Sequence, residues 1–250
     1  MLPLHATPCR IPRVIHQTAR TRDLSWEERR LALRLQRQLP NWRYELWTDE
    51  DNRALIARAF PQHLLAYDTI SAGVMKADIA RIAWLHAVGG FYFDTDYKMV
   101  RPIDDALLRH GCVLAVERGE VRSSGQAPIF SADCKIGNSV IGAAPGHPLL
   151  ADFLDEVFAR SGGGAETEIA LMKISGPHAL TRFYREHHAR YDDVWLAPQA
   201  MLLPNLTLGG LSFAATPTTL GAHLCWGSWR TKHRIRNLRN RLRRTITALV

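Results

Sequence analysis

The chain has 250 residues, of which 46% are hydrophobic and 22% charged, an ordinary composition for one large soluble globular domain. Its net charge of +8 comes from the C-terminus alone, because residues 230–250 carry eight Lys and Arg and no acidic residue, while the other 24 basic residues balance 24 acidic ones. General attraction to nucleic acid is therefore not expected, and four Cys without a CxxC spacing do not indicate a disulfide framework or a zinc site.

The N-terminal residues 1–13 contain prolines and a His but no continuous apolar stretch, so no signal peptide is predicted. No apolar run approaches the roughly 18 residues that a membrane-spanning helix needs. The default expectation is a cytoplasmic protein.

Strands and helices alternate through the first hundred residues. A capping box from Ser25 to Glu28 predicts a helix that runs toward Leu39, and Thr48 is expected to cap a second helix that continues to Ala59. The other predicted elements are strands at 13–16, 43–47, 91–93, 113–116 and 139–143, helices at 72–88, 149–159 and 179–188, and a loop at Gly162, Gly163 and Gly164. This alternation predicts an α/β fold with parallel strands, in which ligands lie beyond the carboxyl ends of the strands.

Two carboxylates, Asp94 and Asp96, follow an aromatic strand at such an end. If the chain stays extended, the strand period of two points both side chains to the same side. Paired oxygen ligands of this kind can hold a divalent cation that in turn holds a diphosphate. A solvated turn is the alternative, because a DxD sequence is common by chance.

The helix that precedes this strand carries Asp78 and Arg81, which share one face at a spacing of three residues. A guanidinium in this place could contact a diphosphate or a sugar hydroxyl through its planar fork. An exposed ion pair between Asp78 and Arg81 is the alternative, and such a pair contributes little to stability.

Four blocks in order resemble glycosyltransferase family 32, the DXD-containing sugar-binding family that includes fungal initiating mannosyltransferases and bacterial capsular or lipopolysaccharide glycosyltransferases. The blocks are residues 11–18, 40–51, 76–81 and 89–96, with weaker similarity at 138–148, 175–177 and 223–229. The opening block departs from the family in having Ala19 where a Trp is frequent. The resemblance covers roughly residues 11–229.

The resemblance implies a Rossmann-like GT-A fold, a mixed and mostly parallel sheet flanked by helices, over residues 1–229, with residues 230–250 as a basic tail. It also implies a site for a nucleotide-sugar donor, UDP- or GDP-linked, and for Mn²⁺ or Mg²⁺. The implied roles are donor binding and catalysis by Asp78, Arg81, Asp94 and Asp96, metal binding by Asp94, Asp96 and His223, base contacts from Ile15, His16 and Trp47, and donor contacts from Asn138, Ser228 and Trp229.

The expected activity is a metal-dependent, retaining transfer of a sugar to a saccharide or lipid-linked acceptor in the synthesis of surface polysaccharide, such as capsule or lipopolysaccharide, or of glycolipid. Bound cation and Arg81 would neutralise the diphosphate leaving group. A glycoside hydrolase, which would use the carboxylates as acid and base, and a non-catalytic module that binds nucleotide sugars are the alternatives.

The tail carries apolar residues at helical spacing among its arginines, and these are Ile235, Leu238, Leu242, Ile246 and Leu249. The pattern predicts an amphipathic basic helix. Such a helix either packs on the body with a charged outer face or attaches the protein peripherally to anionic lipid on the inner face of the membrane. No aromatic interleaving supports nucleic-acid binding.

Overall fold

The structure is a computed structural model that describes residues 9–122, 128–161, 167–227 and 234–249. Within this part of the chain the polypeptide forms strands and helices that alternate through the first hundred residues. The strands are β1 (Val14–Thr18), β2 (Arg43–Trp47), β3 (Gly90–Phe93), β4 (Tyr97–Met99), β5 (Cys112–Arg118), β6 (Val121–Arg122), β7 (Ile129–Phe130), β8 (Lys135–Ala143), β9 (Val194–Ala197), β10 (Leu206–Thr207), β11 (Ser212–Phe213) and β12 (Gly221–His223).

The α-helices surround the main sheet. They are α1 (Trp26–Gln38), α2 (Asp49–Ala59), α3 (Leu64–Thr69), α4 (Gly73–Val88), α5 (Pro148–Ser161), α6 (Glu168–Ile174), α7 (Pro177–His187), α8 (Gln199–Leu202) and α9 (Arg234–Leu249). No helix among the described residues has both the length and the apolar character to cross a bilayer.

Six strands form the main sheet in the order β2-β1-β3-β8-β5-β9. All of them run parallel except β8, which is antiparallel to both of its neighbours, β3 and β5. The predicted α/β fold, a mixed and mostly parallel sheet flanked by helices, is therefore confirmed. The carboxyl ends of β1, β2 and β3 lie along one edge, and the candidate site is built there.

Local sequence signals explain how the first elements begin and end. Ser25 and Glu28 cap α1 reciprocally, as the capping box predicts, and Thr48 and Asp51 cap α2 in the same way. Gly89 ends α4 with a φ of +70°. Gly90 has a φ of +115°, and a Cβ there would lie 2.4 Å from the carbonyl oxygen of Val14. Only glycine allows β3 to begin this close to β1.

Alternate residues of the central strands supply two cores on opposite faces of the sheet. Tyr92 and Leu114 face a core shared with α4, α5 and α7, whereas Phe91, Phe93 and Val113 face a core on the side of α1 and α8. Helix α4 is buried along most of its length, from Met75 to Leu85 with few interruptions. The sequence pattern predicted that Asp78 and Arg81 share one face of this helix, with an exposed ion pair between them as an alternative. In the structure the surrounding elements bury both residues together with most of the helix.

The structure adds a small antiparallel pair that the sequence pattern did not indicate. Strands β4 and β12 pair in antiparallel fashion, with His223 opposite Tyr97. This pairing joins the segment after the DxD turn to the C-terminal part of the chain. The predicted loop at Gly162–164 lies outside the described residues, and the predicted boundary between the domain and the tail stays a prediction.

Candidate metal centre

The two carboxylates lie in a tight turn. Strand β3 ends at Phe93, the amide of Asp94 donates to Ser139 O at 2.9 Å, and the amide of Tyr97 donates back to Asp94 O at 3.0 Å. The sequence predicted that Asp94 and Asp96 converge because the strand stays extended through both. The strand instead ends before Asp94, so this explanation of their convergence is wrong. The turn, together with β8 and β4 on either side of it, brings the two side chains to one place.

His223 completes a cluster with these carboxylates. Its Nε2 lies 3.0 Å from Asp96 Oδ1 and 3.5 Å from Asp94 Oδ2. One ligand atom from each of the three residues lies within 4.8 Å of the others. The β4–β12 pairing sets this geometry, since it places His223 beside the residue that follows the DxD turn.

Asp96 is fixed by the backbone of the segment after β12. The amide of Trp226 donates to Asp96 Oδ2 at 2.7 Å, and the amide of Leu224 donates to Asp96 O at 3.0 Å. Burial favours a raised pKa for Asp96, but the adjacent His223 and the Trp226 amide outweigh it and lower this pKa. Burial opposes the charge on His223, and Asp96 overcomes that effect and raises the pKa of His223 well above its usual value.

Arg81 joins Asp94 to Asp78. Its guanidinium lies 3.0 Å from Asp94 Oδ1 and 3.0 Å from Asp78 Oδ1, and it also donates to Asn138 O at 2.6 Å. The ion pair between Asp78 and Arg81 is buried, with 7% and 6% of the two side chains exposed, so the exposed ion pair considered from the sequence is not what the structure contains. Tyr92 donates its hydroxyl to Asp94 Oδ1 at 2.9 Å and further fixes this carboxylate.

Three donors surround the Asp78 carboxylate. Asn138 Nδ2 donates to Oδ1 at 2.8 Å and Ser175 Oγ donates to Oδ2 at 3.0 Å, in addition to Arg81. Burial raises the pKa of Asp78, and Arg81 is the largest opposing influence. The sequence prediction grouped Asp78, Arg81, Asp94 and Asn138 as site residues, and the structure brings all four together in one network.

The donor set fits a divalent cation. Two carboxylate oxygens and one imidazole nitrogen are ligands that Mn²⁺ accepts well, whereas Mg²⁺ prefers oxygen alone. Asp94, Asp96 and His223 are the residues that would hold the ion. Arg81 lies on the far side of Asp94 and would hold that carboxylate in position.

The residues predicted to contact a nucleotide base differ in accessibility. Ile15 and His16 are fully buried. The His16 ring lies between Gly89 O, which is 2.8 Å from its Nε2, and Trp47, whose Nε1 donates to its Nδ1 at 2.9 Å. Burial lowers the pKa of His16 to about 4. The base-contact role stays a prediction, and the burial of Ile15 and His16 argues for an indirect one.

Trp47 is half-buried and stacks on Trp84, with ring centroids 3.6 Å apart and an interplanar angle of 4°. It stands at the carboxyl end of β2, so it can form a wall of the site. Ser228 and Trp229, the other predicted donor contacts, lie outside the described residues.

Several contributors were missed from the sequence, among them Ser175 and Thr247 as well as Tyr92 and the backbone amide of Trp226. Ser175 holds Asp78 from the turn before α7, and Thr247 holds Trp226, whose Nε1 donates to Thr247 Oγ1 at 3.1 Å. The Ser-Gly-Pro sequence at 175–177 could have indicated Ser175, because it is typical of a helix start. Thr247 carried no signal, because residues 230–250 were predicted to form a basic tail separate from the domain.

The last two turns of α9 pack on the body. Arg30 of α1 donates to Ala248 O at 2.8 Å, Arg243 donates to Cys225 O at 2.8 Å, and Ala248 shares a small core with Leu31 and Trp226. The predicted tail helix is confirmed over Arg234–Leu249. Of the two arrangements predicted for this helix, packing on the body is the one that its C-terminal part adopts.

The chain is similar in sequence to known glycosyltransferases. Residues 26–114 match the family model described as a glycosyltransferase sugar-binding region containing a DXD motif. Inositol phosphoceramide mannosyltransferase 3 of Schizosaccharomyces pombe is 33% identical over 143 residues, covering 56% of this chain and 35% of that protein. Mannosyl phosphorylinositol ceramide synthase SUR1 of Saccharomyces cerevisiae is 26% identical over 186 residues, which cover 72% of this chain and 43% of that protein.

The chain therefore spans less than half the length of these two relatives. Among solved structures, the PaToxG glycosyltransferase superposes with a TM-score of 0.49 at 17% identity, covering 70% of each chain.

Proposed function

We propose that this chain, whose residues 26–114 match the sugar-binding region of DXD-containing glycosyltransferases, transfers a sugar from a nucleotide-sugar donor with the help of a divalent cation held by Asp94, Asp96 and His223. The match confirms the resemblance predicted from the sequence. The observation that carries the proposal is the convergence of these three ligand atoms within 4.8 Å at the carboxyl edge of a mostly parallel sheet.

The cation is proposed to be Mn²⁺, with Mg²⁺ as the second choice, because an imidazole joins the two carboxylates. When bound, it would neutralise charge on the diphosphate leaving group. The protein keeps the ligands in place beforehand: the Trp226 amide holds Asp96, and Arg81 with Tyr92 holds Asp94. Preorganised ligands lose little freedom when the ion arrives.

The sugar is proposed to contact the network around Asp78. This carboxylate and Asn138 adjoin the metal ligands through Arg81, and both are suited to hydrogen bonds with hydroxyl groups. Mannose is the first candidate, because one of the similar proteins is named a mannosyltransferase and the other a mannosyl phosphorylinositol ceramide synthase. Their names also specify inositol phosphoceramide, so a lipid-linked acceptor is preferred over a capsular or lipopolysaccharide acceptor. Retention of anomeric configuration belongs to this proposal on the strength of the family resemblance alone.

The geometry argues against the hydrolase alternative. Paired glycosidase carboxylates stand at least about 5 Å apart on either side of the scissile bond. Asp94 and Asp96 instead approach the same imidazole from one turn of chain. Activity toward a glycoside that survives EDTA would favour the hydrolase.

A thermal-shift screen of UDP, GDP and GDP-mannose with and without Mn²⁺ tests the binding step. We expect stabilisation by a nucleotide only when metal is present, and loss of that stabilisation in Asp96→Asn. A transfer assay with GDP-mannose and inositol-phosphate lipid then tests turnover. Metal-dependent binding without turnover of any sugar nucleotide would favour a non-catalytic module, and equal stabilisation without metal would contradict the proposal.

A further inference from the structure

Large apolar side chains are exposed mainly in one region of the described structure. Three elements surround the small core of Leu31, Leu224, Trp226 and Ala248: helix α1, the C-terminal turns of α9, and the hairpin of β10 and β11. Nine large hydrophobic residues are exposed among the described ones, and six of them lie on these three elements. These six are Trp26, Leu33, Leu208, Leu211, Leu242 and Leu249.

The outer face of α1 has a particular composition. Its exposed residues are Trp26, Arg29, Arg30, Leu33 and Arg37. Apart from the adjacent pair Arg29 and Arg30, they follow one another at spacings of three or four and so form one stripe. The stripe holds three cations, two large apolar residues and no acid. Asp23, just before the helix, lies 3.4 Å from Arg29 and pairs with it.

Helix α9 lies beside α1 and runs in the same direction. Arg244 donates to Ser25 Oγ at 3.2 Å, and Arg30 donates to Ala248 O at 2.8 Å, so successive turns of the two helices correspond. Leu242 and Leu249, which are 63% and 54% exposed, are seven residues apart and therefore share one face. The hairpin adjoins the same end of α9, because Gly210 lies against Arg243.

We infer that α1, α9 and the hairpin form one docking surface for an anionic lipid bilayer. Apolar side chains with arginines between them are what an interfacial surface requires, since the former enter the headgroup boundary and the latter meet the lipid charge. The sequence adds charge complementarity, because residues 234–244 of α9 include six Arg and no acidic residue. A second copy of this chain would have to meet its own cations across the same surface.

The position of this surface gives it a use in sugar transfer. Glu28, on the first turn of α1, accepts a hydrogen bond from Thr95, the middle residue of the DxD turn, at 3.0 Å. A bilayer docked on the outer face of α1 would therefore be separated from the DxD turn by the width of this helix, about 10 Å, and a lipid-linked acceptor could be presented from there. This use rests on the proposed function, whereas binding to lipid does not.

Sedimentation with vesicles tests the inference on the full chain. The vesicles are phosphatidylcholine alone or phosphatidylcholine with 30% phosphatidylglycerol. The test variant combines Trp26→Ala, Arg29→Gln, Leu33→Ala and Arg37→Gln, all on exposed side chains. The control combines the same kinds of change on α2 and α3, Arg58→Gln and Leu65→Ala, at exposed positions away from the surface. Circular dichroism checks that both variants are folded.

We expect the wild type and the control to bind the anionic vesicles and not the neutral ones. The test variant should bind the anionic vesicles at least about tenfold more weakly than the wild type. Equal binding by the test variant and the wild type would overturn the inference, as would a wild type that binds neither vesicle. A dimer in analytical ultracentrifugation that the test variant abolishes, without vesicle binding, would assign the surface to a second copy instead. These results do not depend on turnover, so they are independent of the proposed activity.

Discussion

The indole of Trp226 donates to Thr247, while its backbone amide donates to Asp96. One residue thus ties the C-terminal helix to Asp96, a proposed metal ligand that lies 130 residues earlier in the chain. The same short segment carries His223, so α9 supports two of the three proposed ligands. The basic tail is therefore a structural part of the site in its last two turns.

Replacing Thr247 with Val should weaken Mn²⁺ binding severalfold. The change keeps the size of the side chain and removes the acceptor of the Trp226 indole, which leaves that buried donor unpaired and loosens the segment that holds Asp96. Thr245→Val, two residues earlier on the same helix, is the matched control. Titration of Mn²⁺ by calorimetry measures the effect, and equal affinities for both variants would show that α9 does not position the metal ligands.

Asp78→Asn should destabilise the fold by about 3 kcal/mol, because it removes one of two carboxylates that neutralise the buried Arg81. Ser175→Ala removes a single neutral donor to the same carboxylate and should cost about 1 kcal/mol. Urea denaturation measures both. If the two variants lose the same stability, the charge network around Arg81 contributes less than its geometry implies.

Arg81→Lys should lose most of the activity even though the positive charge remains. The guanidinium spans Asp78, Asp94 and Asn138 O at once, and a lysine ammonium is a compact charge that cannot make these contacts together. We expect a fall of at least about tenfold in kcat, since Asp94 would no longer be held for the metal. Steady-state kinetics in saturating Mn²⁺ measures it, and a wild-type kcat would contradict the role given to Arg81.

Stability should fall as the pH is lowered through the range set by His16. Burial lowers the pKa of this ring to about 4 in the folded protein, against an ordinary value of 6.5. The unfolded chain therefore binds a proton below pH 6.5 that the folded chain does not bind until about pH 4. The resulting loss is at most about 3 kcal/mol across that window and is absent above it.

Denaturation of the wild type and of His16→Gln at pH 7, 6, 5 and 4 measures this contribution. The variant should show a shallower loss of stability between pH 6.5 and 4, whatever its stability at pH 7. Parallel pH profiles for the two proteins would mean that His16 is protonated in the folded state at an ordinary pH.

Local rules predicted much of the fold. The capping box at Ser25 and the capping residue Thr48 predicted the starts of α1 and α2, and the helix predicted over 72–88 ends where α4 ends, because these features depend on residues within a few positions of one another. The four blocks also indicated Asp78, Arg81, Asp94 and Asp96, which the structure joins in one network.

The remaining features depend on contacts that are distant in sequence. The pairing of β4 with β12 decides how His223 meets Asp96, and no local pattern specifies it. The burial of Ile15 and His16 results from the packing of β1 between β2 and β3, which a short strand pattern does not reveal. The hydrogen bond between Trp226 and Thr247 also joins residues that are distant in sequence, so no local pattern predicted it.

The most direct measurement is Mn²⁺ binding followed by electron paramagnetic resonance in the presence of GDP or UDP. We predict one saturable Mn²⁺ per wild-type chain, and its loss in Asp96→Asn. Asp105→Asn, at an exposed carboxylate paired with Arg13, should bind like the wild type. A wild-type protein without saturable Mn²⁺, or an Asp96→Asn variant that binds it as tightly as the wild type, would contradict the metal centre on which the proposed sugar transfer depends.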